Sequence, residues 1–462
     1  MAERLREGPS NTIASWGLFA AVAGAPLLFG ATDPAAIAFW CIVLGVSLAF
    51  AGPARLRRLH MAMLCGIAIV AAGYAFVLHE QLAERPWIAP FHPIWAEMSK
   101  LLGQPLQPSA SIARDQPLFA LGAPLAALLA LTLGLVIGTD RGRARQVLTV
   151  LAWSGMIYAV LGIAQLAFDP GHLLWRERIA YFGTVTGPFI NRNTAASYFG
   201  ICATIWILVV AENIRAQLPP GPIVWNAFFE KILEQKSPWL VLSFAGFFVC
   251  LAAMFMSGSR AGVVVSFMFM VVALVLYFRS DLSGRMANLT FVATMIGGAS
   301  LLFFTLGSGI NYRLEVEGSV DASRFETYKS TLRLIADNPW FGTGIGTFPW
   351  SYPAYRSSEI SMMAVYDRAH STPLELAAEL GLPLTAVIVL AWAAMLVLLA
   401  RGFAIRRRDR ILPLAALSAG LIAVVHSCVD FPLQIPGYAV PVFALLGVGL
   451  AQSVGSERST PN

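Results

Sequence analysis

The chain has 462 residues, 57% of them hydrophobic and only 13% charged, with a formal net charge of +6 and a mean hydropathy of +0.68. Soluble domains carry roughly 25% charged residues, so this composition excludes a soluble enzyme and predicts an all-α polytopic membrane protein. The surplus of cations suits anionic lipid headgroups and calls for no nucleic-acid partner.

Apolar runs near twenty residues recur along the chain, each long enough to cross a bilayer core of about 30 Å. About twelve transmembrane helices are expected, at 12–30, 36–52, 61–79, 118–138, 147–168, 194–211, 239–256, 261–278, 287–306, 374–400, 411–428 and 437–452. Residues 1–306 then hold nine helices with short loops. Residues 307–373 form one large loop, and 374–462 hold three helices and a short tail. The run after Met1–Asn11 lacks a small-residue cleavage site and reads as a retained span, not a signal peptide. Loop 80–117, with Pro86, Trp87, Phe91, Pro93 and Trp95, reads as an interfacial segment anchored by tryptophan. The five cysteines (Cys41, Cys65, Cys202, Cys250 and Cys428) lie in or beside apolar runs without paired spacing, as packing residues do.

Orientation follows from the short connections. Arg55, Arg57, Arg58, Arg141, Arg143, Arg145, Arg279, Arg285, Arg401, Arg406, Arg407, Arg408 and Arg410 fall on one side. By the positive-inside rule that side is cytoplasmic and holds both termini. Loops 80–117, 169–193, 257–260, 307–373 and 429–436 then face outward.

The large loop and its C-terminal border carry the densest signals. Ser323 and Glu326 have capping-box spacing, and Phe325, Tyr328, Leu332 and Ile335 recur as one apolar helix face. This helix carries Arg324 and should stop near Asp337-Asn338-Pro339. Gly342-Thr343-Gly344-Ile345-Gly346 reads as a flexible, tight turn. It lacks the lysine and hydroxyl of a phosphate-binding loop. Thr372 as N-cap, Pro373 and Glu375 mark a second helix start. His370, the only histidine of the loop, precedes a helix end that favours anions and a neutral imidazole.

The outward side is rich in arginine against the usual bias: Arg176, Arg178, Arg192, Arg260, Arg313, Arg324, Arg333, Arg356 and Arg368. Arg260, in the Ser257-Gly258-Ser259-Arg260 hairpin, and Arg192, beside a capping Asn193, have the least loop to solvate them and are candidate functional groups. The guanidinium fork matches phosphate geometry, so converging arginines would suit a lipid-borne pyrophosphate. His426 and Asp430 are four apart and read as a supporting pair. The scattered acids Glu177, Glu315, Glu317, Asp321 and Asp367 form no pair suited to a divalent ion. There is no zinc motif either, so metal-independent chemistry without a cofactor is expected.

These features resemble the O-antigen ligase and polymerase superfamily of bacterial envelope proteins. The matching pattern is an arginine-bearing helix, then Asn338-Pro339-Trp340-Phe341-Gly342-Thr343-Gly344-Ile345-Gly346-Thr347-Phe348, then Ala369-His370-Ser371 running into Leu374–Gly381. The Ser257–Arg260 hairpin and Asn191-Arg192-Asn193 also look like family features. The resemblance implies a GT-C-like glycosyltransferase of the inner membrane whose active site faces the periplasm. Its donor is a glycan on undecaprenyl pyrophosphate, and its acceptor is the next carrier-bound repeat, the lipid A core or a protein side chain. It further implies that Arg192, Arg260 and Arg324, with Asn193, hold the pyrophosphate, and that His370 is the catalytic base. Glu375, His426 and Asp430 would support them. The ending His426–Pro436 looks more like exopolysaccharide polymerases, for which a chain-length regulator would be a further partner. A transporter or flippase of lipid-linked sugars is the alternative of another class.

Overall fold

The computed structural model describes residues 9–52, 56–218, 237–279, 322–360, 366–406 and 409–454. The expected ninth span (287–306) lies outside the described residues, as do Arg55, Arg285, Arg313, Arg407, Arg408, Glu315, Glu317 and Asp321. The first helices are α1 (Pro9–Gly24), α2 (Pro34–Phe50), α3 (Arg58–Leu82), α4 (Ile94–Leu102), α5 (Gln116–Ala120), α6 (Gly122–Ile137) and α7 (Arg141–Phe168). A short hairpin of β1 (His172–Leu173) and β2 (Arg176–Glu177) follows. Then come α8 (Arg192–Arg215), α9 (Pro238–Met256), α10 (Arg260–Phe278), α11 (Ala322–Asp337), α12 (Phe348–Ser351), α13 (Thr372–Leu380), α14 (Leu382–Ile405), α15 (Ile411–Ser427) and α16 (Pro436–Ser453). Eight helical segments are long and apolar enough to cross a membrane, and α2 and α15 are shorter apolar helices. The chain is an all-α, multi-pass membrane protein.

Two expected spans need correction. The first helix stops at Gly24, where Pro26 follows and disfavours helix in its predecessor. The expected span 374–400 is two helices, because the chain breaks at Gly381 (φ 82°). At nine residues, α13 is only about 13 Å long and cannot cross a bilayer. It is α14 that is long enough to do so.

Helices α8 and α16 are buried over most of their length, whereas α3 and α14 keep most of their surface outward. Helix α16 lies along α6, where a side chain at Gly134 or Gly447 would run into the other helix's backbone; small residues permit such close packing in lipid. At one end of the bundle, buried Asp409 pairs with Arg141 and with Arg145 (2.6 Å), which also reaches Glu212 (2.6 Å). This end gathers the basic connections.

At the other end the glycine turn is pinned, not flexible. Gly342, Gly344 and Gly346 have φ of 65°, 116° and 74°, a region costly for other residues. Thr343 N donates to Ala378 O (2.9 Å) and Gly344 N to Glu379 O (3.2 Å), satisfying carbonyls that the end of α13 would otherwise leave orphaned. Gln81, in the last turn of α3, clamps the arrangement. Its Nε2 donates to Phe341 O and Glu379 O, both at 2.8 Å, and its Oε1 accepts from Ile345 N at 3.0 Å. Loop 80–117 exposes Trp87 as an interfacial anchor would, yet it also makes specific contacts. Ile112 N donates to Thr343 O (2.9 Å), and the Glu80 carboxylate accepts from Trp87, Ile88 and Ala89 N–H at 2.7–3.1 Å.

Replacing Gln81 by alanine should therefore strand the Ile345 N–H in a buried site. The cost of one such group is about 1–3 kcal/mol, so the variant should melt at a lower temperature in detergent. An unchanged melting curve would show that Gln81 does not hold the turn.

Candidate active site

The site grows from two helix starts. Asn191 caps α8, its side chain accepting from Asn193 N at 2.7 Å. The cap is thus Asn191, not Asn193 as the sequence suggested, because the helix begins two residues earlier than expected. Asn193 is thereby left to donate from Nδ2 to the carboxylate of Asp430 (2.5 Å). Arg192 is the first helical residue, with its guanidinium over the Tyr181 ring at 5.0 Å. Ser259 likewise caps α10 through Gly262 N (3.2 Å), and Arg260 follows as its first residue. Val185 N donates to Met256 O (3.0 Å), which ties the loop bearing Tyr181 to the hairpin bearing Arg260.

Helix α11 brings in Arg324. Its Nη1 donates to Val429 O (2.8 Å), and its Nη2 reaches Asp430 Oδ2 (3.3 Å). The helix ends at Asp337, as expected, but its packing face differs from the predicted one. Thr327, Ser330, Thr331, Leu334 and Ile335 are buried, while Phe325 and Leu332 are exposed. The hydroxyls of Thr327 and Thr331 bond carbonyls four residues back, which offsets most of the cost of burying a polar face. Ser323 is already inside the helix, and Glu326 pairs with Lys329 (2.5 Å) instead of closing a capping box.

His370 lies between α11 and α13. Its φ of 52° is uncommon for a residue with a side chain, and both flanks hold it there. Tyr328 OH donates to His370 O (2.9 Å), and Ala369 N donates to Glu375 Oε2 (2.7 Å). The imidazole packs on Phe431 at 5.3 Å between centroids. The cap of α13 is Ser371, one residue ahead of the expected Thr372; the Thr372 hydroxyl donates instead to Asp430 O (3.4 Å). Glu375 takes Arg368 (3.1 Å), which also bonds Gln434 (3.0 Å).

His426 and Asp430 go to different partners. Helix α15 ends at Ser427, so Asp430 lies beyond the helical turn that would have aligned them. The His426 Nδ1 is 2.6 Å from Ser197 Oγ in the bundle interior. Asp430 is buried and takes Asn193, Arg324 and its neighbour Phe431 N (2.8 Å).

Tyr181 is a residue that the sequence reading missed, since a single loop tyrosine gives no signal. It too has a positive φ (57°), and its carbonyl takes Arg178 (3.0 Å) and Thr184 (2.7 Å). Burial raises its phenol pKa and so does Asp430, while Arg192 and Arg324 oppose them. One phenol thus feels both arginines and the acid. Among the other arginines, Arg176 pairs with Asp33 (3.0 Å) and lies over Phe29, and Arg356 lies over Tyr366. Arg178 braces its own loop. These contacts are structural.

Cations at helix starts, where the dipole adds positive potential, can bind an anion and stabilise negative charge as it grows. A histidine beside them can accept a proton. The family model described as O-antigen ligase matches residues 245–389, a segment that contains Arg260, Arg324, His370 and Glu375. That match supports a glycan-transfer role of ligase or polymerase type, a family description that implies a lipid-linked glycan and an acceptor. No curated protein matches the chain.

The acids behind His370 make stability depend on pH. Burial, and then the neighbouring Glu375, raise the Glu379 carboxyl to about 8. A raised folded-state pKa adds stability that is complete below the unfolded value and lost as pH rises through the folded one. The melting temperature should therefore fall between roughly pH 5 and 8, and Glu379→Gln should flatten that slope. Equal slopes in the two proteins would refute the assignment.

Proposed function

We propose that the chain, whose residues 245–389 match the O-antigen ligase family, is a periplasm-facing glycosyltransferase of the ligase and polymerase superfamily that moves a glycan from undecaprenyl pyrophosphate to an acceptor hydroxyl. The favoured reaction is the polymerisation of exopolysaccharide or O-antigen repeats. The observation that carries this reading is the meeting of Asn193, Arg324 and Thr372 at Asp430, with Arg192 stacked on the Tyr181 that senses the same acid, inside and beside the matched domain. The clustering of basic connections at the opposite end supports an inner-membrane orientation with both termini cytoplasmic.

The acceptor oxygen attacks the anomeric carbon on the face opposite the pyrophosphate and forms the new C–O bond. The bond to the pyrophosphate oxygen breaks, and its electron pair leaves with the polyprenyl pyrophosphate. Arg192, Arg260 and Arg324 stabilise that developing charge. His370 takes the hydroxyl proton, and the configuration inverts. The activated leaving group supplies the driving force, so the route needs no metal and no cofactor. Transfer of finished polymer to the lipid A core is the second reading, favoured by the matched family's description as ligase.

Loss of a general base lowers rates by about 10²–10⁴, and loss of a charge-stabilising donor by about 10²–10³. His370→Ala and Arg324→Ala should each lower glycan transfer on that scale while carrier translocation continues. In a deletion strain, single repeats should accumulate on the carrier. Long polymer stranded on the carrier with a bare lipid A core would favour the ligase reading. Normal profiles would refute both.

A further inference from the structure

A cleft of about 900 Å³ is lined by Thr372 and not by Arg324. Its body is apolar, formed by residues such as Gly66, Val70, Ala127, Trp392 and Phe443. On α3 alone it extends from Leu59 to Tyr74, a rise of about 22 Å along a membrane-spanning helix. Its polar end carries Asp367, Arg368, Glu375 and Glu379, with Trp350 beside them. None of Arg192, Arg260 and Arg324 lines it.

We propose that this cleft holds the acceptor, a saccharide carried on a single polyprenyl chain, with the chain in the apolar trough and the sugar at the acid-bearing end. The inference rests on the glycosyltransferase reading and specifies which substrate enters where. The trough is apolar over about 22 Å of α3, which suits an extended polyprenyl stretch. The polar end has the wrong balance for a leaving pyrophosphate, with three carboxyl groups around one guanidinium. It suits sugar, since carboxyl groups, ionised or protonated, hydrogen-bond hydroxyls and half-exposed Trp350 offers a flat apolar face. Arg368 supplies a single cation for an acceptor phosphate whose charge does not change during the reaction.

Few residues separate the cleft from Arg324. Thr372 lines the cleft while its hydroxyl bonds Asp430 O, and the Asp430 carboxylate holds Arg324. His370 lies two residues before Thr372, in the segment that joins the cleft lining to the Arg324–Asp430 pair. A single-chain acceptor is the substrate of a polymerase, not of a ligase acting on a multi-acyl core.

Gly66 provides the test, because a Cβ there meets no atom within 4 Å. Gly66→Trp should fill the trough without disturbing the fold. Gly45→Trp on α2, equally open and outside the cleft, is the control. The full-length protein in nanodiscs is assayed with a polyprenyl-pyrophosphate donor and one saccharide acceptor on either a long polyprenyl or a short alkyl chain. Gly66→Trp should raise KM for the long-chain acceptor about tenfold or more and leave both the short-chain acceptor and the donor unchanged. A rise in donor KM instead would assign the trough to the donor chain and overturn the proposal. No change in either would mean that the trough holds bulk lipid only, which also overturns it.

A diazirine at the end of the long-chain acceptor should label α3 and α6 peptides, and labelling does not require turnover. A labelled cleft without transfer would refute the glycosyltransferase reading and leave the site standing. Transfer without labelling would refute the cleft alone.

Discussion

The Asp430 carboxylate is a buried anion placed where three parts of the chain meet. A charge in that position persists only when it is paired and hydrogen-bonded. One oxygen takes both Asn193 and Arg324, and the other takes the Phe431 N–H. The start of α8 and the arginine of α11 are thereby fixed to the same atom, and the neighbouring carbonyl fixes Thr372. Removing one partner from a buried pair typically costs about 3–5 kcal/mol, because the remaining charge stays uncompensated. The geometry at this end is therefore held by an electrostatic requirement as much as by apolar contact.

Much of the bundle was legible in the sequence, since hydrocarbon thickness dictates run length and every apolar run among the described residues became a helix. The end of α11 was legible from Pro339, and the placement of Arg192 and Arg260 at helix starts from their position at span borders. Less visible were interactions that depend on which groups meet in space. The hydroxyl face of α11 reads as polar, yet it is buried, with Thr327 and Thr331 donating to carbonyls inside the helix. Asn193 gave up the expected cap role to reach a partner 237 residues away. His426 and Asp430 are close in sequence but bond different partners because the helix ends between them. Tyr181 and Gln81 carry no local pattern, and only the fold discloses them.

The functional end is not the property of the matched segment alone. Residues 245–389 supply Arg260, Arg324, His370 and Glu375. The acid that orients Arg324 follows that segment, and Arg192, Asn193 and Tyr181 precede it. Gln81 comes from the third helix of the chain and holds the turn against which α13 ends. The N-terminal helices, matched only by topology at the level of sequence, are thus mechanical parts of the site.

Gln81 and Glu379 are joined across 298 residues of chain, and Phe341 lies 260 residues from the same amide. Synthesis runs from the N-terminus at roughly 5–20 residues per second. The polar end of α3 therefore waits many seconds for partners that have not yet been made. During that interval Gln81 must face water or the headgroup region, because hydrocarbon offers it nothing to bond. The bundle's biogenesis is consequently ordered: insertion of the early helices comes first, and closure of the catalytic end is among the last events, after α13 leaves the ribosome. A nascent chain stopped before Glu379 would hold most of its membrane helices and lack the clamp that pins the glycine turn.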